Sequence, residues 1–377
     1  MKIQQRKWTI DDGWELSRND ADISSNCLVL VFGAREQIEN CYEEISQFYP
    51  NSDIIINSTS GEIIGSKVLD DSIVLTAIQF EKTKYKIATI NINECPDSFD
   101  AGRQLSEKLT GDKLKHVLVI SDGGLVNGSE LVKGLNEYLE SNVIVTGGLA
   151  GDAARFEKTL VGYNQNPTVG NIVTVGLYGD SYYIGYGSVG GWDSFGPKRL
   201  VTKSDANVLY ELDGQSALEL YKRYLGDKAK ELPGSALLFP LSIQLEENSK
   251  SLVRTILSID EDSQSMIFAG DIPEGATVRL MKANFDKLID GAFEAAESGY
   301  KVWNGTPPDL AILISCVGRK LVLDQRIEEE IESVHEVIGE AIPTIGFYSY
   351  GEISPFAGYL NCELHNQTMT ITLIGEV

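Results

Sequence analysis

The chain has 377 residues, 42% of them hydrophobic and 23% charged, an ordinary globular balance too long for one compact core, so two domains are expected. With 32 Lys+Arg against 55 Asp+Glu, the formal net charge of −23 repels phosphate backbones and anionic lipid and argues against nucleic-acid and membrane partners. No apolar run approaches the roughly 18 residues of a membrane span, no secretory signal is visible behind Lys2, Arg6 and Lys7, and five scattered cysteines without CxxC spacing point to free thiols in the cytoplasm.

One pattern is expected three times. The first copy begins with the apolar run 27–32 ending at Gly33, continues as a helix over 34–48, and reaches a strand at 53–56. It then has the loop Ser58-Thr59-Ser60-Gly61-Glu62 and a closing strand over 72–80. The second copy runs through a strand at 116–120, the loop Ser121-Asp122-Gly123-Gly124, a helix over 129–140 and a strand at 143–145. The loop Thr146-Gly147-Gly148-Leu149-Ala150-Gly151-Asp152 and a strand over 172–178 complete it. Ser181 to Val189 is rich in Tyr and Gly, and 192–201 carries Pro197 among turn formers.

Residues 237–245 and 252–259 alternate as half-exposed antiparallel strands do, and Ser216-Ala217-Leu218-Glu219 fits a capping box for a helix ending near Leu225-Gly226. A strand over 276–281 and a helix over 284–297 precede the third copy. That copy has a strand at 310–315, then Cys316-Val317-Gly318-Arg319, a helix over 324–340, a strand at 344–347, the loop Ser349-Tyr350-Gly351-Glu352-Ile353, and a closing strand over 368–374. Continuous β-branched runs separated by one helix describe strands buried on both faces with parallel crossovers. The expected fold is α/β: three βαβ-plus-loop units in two domains, 1–210 and 211–377, of mixed parallel and antiparallel sheets with flanking helices.

In such folds ligands bind outside the carboxyl ends of parallel strands, where the glycine loops fall. Opposite charges sit beside them, Arg35 with Glu62 and Arg319 with Glu352. A crevice carrying an Arg fork and a carboxylate suits a zwitterion such as an amino acid; equally, each pair is an internal salt bridge. The expected lining is Ser60, Gly61, Glu62, Cys316, Gly318, Arg319, Tyr350, Gly351 and Glu352. In the second copy the amides ahead of the Ser129 helix are a candidate anion site or an ordinary cap. Gly185 to Gly190 fits GxGxxG without the required following helix, so a dinucleotide site is not expected. The three histidines have no metal-ligand spacing, and Cys316 with His365 is the minimal arrangement for a nucleophilic enzyme.

Residues 146–156, TGGLAGDAARF, resemble the most recognisable motif of the FIST N-terminal domain. Asn57-Ser58-Thr59-Ser60-Gly61-Glu62-Ile63 is similar to that domain's Gly-Cys-Ser-Thr-x-Gly-Glu-Ile loop, with Asn57 and Ser58 in place of Gly and Cys. Residues 315–319, 346–353 and 365–368 resemble the FIST C-terminal domain, and Glu211-Leu212-Asp213-Gly214 the junction. The resemblance implies a cytoplasmic sensory module for small ligands such as amino acids, coupled to a separate signalling protein such as a kinase or a cyclic-dinucleotide enzyme. No catalytic activity and no cofactor are expected from it. Some relatives bind haem through a His ligand, which makes haem at His365 the alternative.

Overall fold

The computed structural model describes residues 1–20, 22–232, 234–245, 250–301, 303, 307–356 and 359–377. Three parallel strand pairs form its skeleton: Leu28–Gly33 with Asp53–Ser58, Leu114–Ser121 with Ile144–Leu149, and Leu310–Cys316 with Thr344–Ser349. In each unit an antiparallel strand flanks the first member of the pair: Ile73–Gln79, Asn171–Tyr178 and Met369–Glu376. Beyond these lie Lys2–Thr9, Lys84–Asn91 and Tyr182–Val189, again antiparallel. The mixed sheets with flanking helices are the expected α/β architecture.

The strand that follows each glycine loop leaves its own sheet. Glu62–Ile64 of the first unit pairs with Thr344–Ser349 of the third. Gly351–Pro355 of the third pairs with Ile144–Leu149 of the second. Val161–Tyr163 of the second pairs with Asp53–Ser58 of the first, so the exchange closes into a ring. Each sheet turns one apolar face toward a shared core in which Leu30, Phe32, Ile120, Val175, Ile314 and Phe347 are buried. The Phe32 and Phe347 rings meet there at 4.8 Å. Helices Ser98–Leu109, Gly128–Tyr138, Phe285–Lys301 and Ile327–Ile338 cover outer faces through separate apolar clusters. Burial on both faces explains the unbroken apolar runs. No helix among the described residues is long and apolar enough to cross a membrane.

Residues 193–282 form a subdomain inserted into the third unit. Its eight strands pair antiparallel around a core of their own that includes Val201, Leu209, Leu218, Tyr221, Phe268 and Leu280. It enters at Asp193 and leaves at Lys282, which pair with each other, and it is tied to the rest by Arg254 Nη1 donating to Leu364 O at 2.9 Å and Gln367 Nε2 to Thr255 Oγ1 at 3.0 Å. The position 210/211 falls within strand Val208–Leu212 of this subdomain. Helix Ala217–Leu225 begins as the capping box predicts, with Ser216 accepting from the Glu219 amide, and ends at Gly226 with φ +58°.

Two local expectations are corrected. The helix over 34–48 is two short helices, Arg35–Ile38 and Tyr42–Phe48, interrupted near Asn40, a residue whose side chain competes with helical backbone. The turn-rich segment around Pro197 lies inside the strand Asp193–Asp205. Its pairing register shifts between Phe195 and Arg199, so Pro197 occupies an irregularity where no ladder donor is needed. The GxGxxG segment belongs largely to strand Tyr182–Val189, and its glycines serve packing. A Cβ at Gly187 would lie 2.0 Å from the Ala295 carbonyl of helix Phe285–Lys301.

Candidate functional site

The three glycine loops meet. Ser60 N donates to Tyr348 O at 2.8 Å, Gly151 N to Ser58 O at 3.0 Å, and Tyr350 N to Leu149 O at 3.2 Å. Ser60 Oγ donates to Ala153 O at 3.0 Å, and Lys320 Nζ reaches Ser60 O at 2.8 Å. Gly61 sits at φ +136°, which side-chain-bearing residues rarely adopt, and its absent Cβ points at the Lys320 ammonium. Convergence is therefore real, but protein groups fill the junction and bury Ser60, Glu62 and Glu352.

The expected charge pairs are replaced by others. Arg35 pairs with Asp152 of the second unit at 2.9 Å, not with Glu62. Arg319 pairs with Glu330, not with Glu352: its Nε donates to Glu330 Oε1 at 2.6 Å, and both side chains are 0% exposed. Ser315 and Tyr348 hydroxyls complete Glu330 at 3.1 and 3.0 Å. Arg319 also donates to the carbonyls of Gly190 and Leu288. A fork with all three nitrogens bonded inside the fold is a clamp between elements.

The two freed glutamates have matching surroundings. Glu62 accepts from the hydroxyls of Thr59 and Ser72. Glu352 accepts from Ser349 at 2.6 Å and Thr368 at 2.9 Å. Burial dominates both: it pushes Glu62 up to about 7 and Glu352 up to about 8, against the opposing hydroxyl bonds. Each carboxyl bridges the glycine loop to the residue that opens the unit's closing strand, through Ser72 or Thr368.

An open groove of about 340 Å3 lies beside this junction, at the carboxyl ends of the second unit's parallel strands. One wall is Gly123 to Asn127, another is Phe156 to Thr159 with Tyr350, and the third comes from the inserted subdomain through Asn207, Leu257 and Phe268 to Gly270. Of the nine expected lining residues, Tyr350 alone lines it. The second unit's amides are already engaged: Asp122 accepts from Gly124 N at 2.8 Å, Leu125 N at 2.7 Å and Gly170 N at 2.9 Å, and Thr159 Oγ1 accepts from Gly123 N at 2.9 Å.

Asn127 caps helix Gly128–Tyr138 by accepting from Ser129 N and Glu130 N, and donates to Asp271 of the subdomain at 3.1 Å. Asn127→Ala is expected to lower stability by about 1 kcal/mol, read from urea denaturation. Equal midpoints for variant and parent would refute the capping role.

The loop over the groove is rigidly held. Asp152, fully buried, accepts from Arg35 Nη1 at 2.9 Å, Arg155 Nε at 2.8 Å and Lys158 N at 3.2 Å. Phe156 has φ +55°, donates its amide to Tyr350 Oη at 3.0 Å, and stacks on the Tyr350 ring at 4.5 Å and 18°.

Two family models match the chain and meet inside the inserted subdomain. A model of the FIST N domain matches residues 27–215, and a model of the FIST C domain matches residues 217–355. The chain belongs to the FIST family. FIST domains are associated with signal transduction and small-ligand sensing. An uncharacterized protein of Methanocaldococcus jannaschii is 23% identical to this FIST chain over 385 residues, covering 91% of the chain and 72% of its own length.

The remaining sequence candidates in this FIST protein lie inside it. Cys316 ends its strand fully buried, and burial, then Glu352, pushes its thiol up, away from the thiolate a nucleophile needs. His365 is buried and its pKa falls to about 4, chiefly through burial. Its Nε2 bonds to Ser354 O at 2.9 Å, and Phe356 packs edge-on against the ring at 4.8 Å. That arrangement does not fit haem ligation by His365, because an iron would have to displace both contacts. Gly318 packs under the Gln367 amide, and Gly351 pairs with Leu149. Phe156, Asn207 and Leu257 were beyond sequence reading. The exposed Phe156 inside a FIST motif was the one available signal.

Proposed function

We propose that this FIST protein is a sensor whose small polar ligand occupies the groove between the second unit's loops and the inserted subdomain. One observation carries the reading: the groove's walls come from both bodies, so an occupant touches both and favours one relative placement of them. The chain enters and leaves the subdomain at one strand pair, a hinge position for such a response. An amino acid is the favoured ligand class. Glu157 and Lys158 stand side by side on one wall, and their half-exposed ion pairs to Arg35 and Glu39 can be exchanged for an ammonium and a carboxylate. The protein acts without catalysis in the cytoplasm and hands its signal to a separate protein, such as a kinase or a cyclic-dinucleotide enzyme.

Thermal-shift titration with the standard amino acids and small polar metabolites tests this. A ligand is expected to raise the melting temperature of the parent and to lose its effect in Leu257→Trp, which fills the mouth of the groove. A panel with no stabilising compound, or a ligand indifferent to Leu257→Trp, would refute the site.

A further inference from the structure

We propose that the ligand carries a flat aromatic ring, taken up face-on by Phe156 with Tyr350 beneath it; this rests on the sensor reading above. Phe156 is 42% exposed although one side of its ring is stacked on Tyr350, so the groove presents a supported aromatic surface. Aromatic rings prefer offset stacking on such a face, and a second ring extends the pair already formed.

The shelf is built at a conformational cost. Ala153 and Phe156 both hold positive φ, +51° and +55°, which L-residues rarely adopt, and strain of this kind collects where a loop must present a group to a ligand. The Asp152 clamp and the Tyr350 hydroxyl hold that backbone before any ligand arrives. A preformed ring surface loses little freedom on binding.

The rest of the groove fits the apolar body and polar edge of a ring system. Leu125 and Leu257, 56% and 38% exposed, stand at its rim as side walls. Asn207 donates to Phe268 O at 2.7 Å, and its own amide oxygen has no partner among the described residues. An aliphatic ligand of the same bulk would fill the groove but gain nothing from the stacked pair.

The test is isothermal titration of the full chain with tryptophan and adenosine as flat probes and leucine and cyclohexylalanine as non-planar ones. Flat probes are expected to bind at least about tenfold tighter. Preference for tryptophan or for adenosine identifies the amino-acid or the neutral source of the ring, and either supports the proposal. Phe156→Leu should weaken flat probes about tenfold while leaving non-planar probes unchanged, and Phe156→Trp should retain the flat ones. Non-planar probes binding as tightly as flat ones, or Phe156→Leu without effect, would overturn the aromatic inference while leaving the sensor reading intact. Failure of all four probes together with the wider metabolite panel would remove both.

Discussion

Replacing Arg319 with methionine is expected to lower stability by about 3–5 kcal/mol, the range for removing one partner of a buried ion pair. The change leaves Glu330 buried with only the Ser315 and Tyr348 hydroxyls for company. It also strips the carbonyls of Gly190 and Leu288 of their donor. These groups belong to helix Val317–Leu323, helix Ile327–Ile338, helix Phe285–Lys301 and the turn after strand Tyr182–Val189, so one side chain joins four elements of the third unit. Urea denaturation gives the loss directly. The double variant Arg319→Met/Glu330→Leu should recover part of it, since replacing both charges by apolar groups removes the uncompensated one. A single-variant loss under about 1 kcal/mol would contradict the clamp.

The second large effect concerns pH. Glu62 and Glu352 titrate near 7 and 8 in the folded protein, above the roughly 4.3 of an unfolded glutamate. A carboxyl raised in this way adds stability that is complete below the unfolded value and is lost as pH rises through the folded one. One unit corresponds to about 1.4 kcal/mol, so full ionisation removes on the order of 4 kcal/mol at Glu62 and 5 kcal/mol at Glu352. Stability should therefore fall from about pH 4, where the unfolded carboxyls begin to ionise, to about pH 8, and level off above that. Glu352→Gln, which keeps a polar group for Ser349 and Thr368, should remove the part of the fall that continues to about pH 8, and Glu62→Gln the part that ends near pH 7. The difference between variant and parent across this range isolates each glutamate, because buried His116 and His365, which act between their folded values of about 3 and 4 and the unfolded value of about 6.5, contribute equally to both proteins. Parallel profiles for parent and Glu352→Gln would sink the assignment.

Both effects come from residues that sequence reading singled out, but with other partners. Arg319 and Glu352 lie near each other in the third unit's pattern, and the strand-end glycines drew attention to both. The pairing Arg319–Glu330 depends on a helix folding back over the strand, which no local spacing encodes. Likewise Arg35 finds Asp152 across the ring of exchanged strands, 117 residues away. The groove was out of reach for the same reason: Asn207, Leu257 and Phe268 come from an insertion whose only sequence mark was a change of texture after Val189.

What the amino-acid order alone determined were the three units, their parallel pairs and the loops between them. Alternation, apolar runs and caps act over a few residues, where backbone geometry leaves little choice. Only the tertiary structure decided which charges pair, which loops are buried and where an opening remains. Burial makes each of these choices, by setting the cost of an unpaired charge, and it belongs to no single segment.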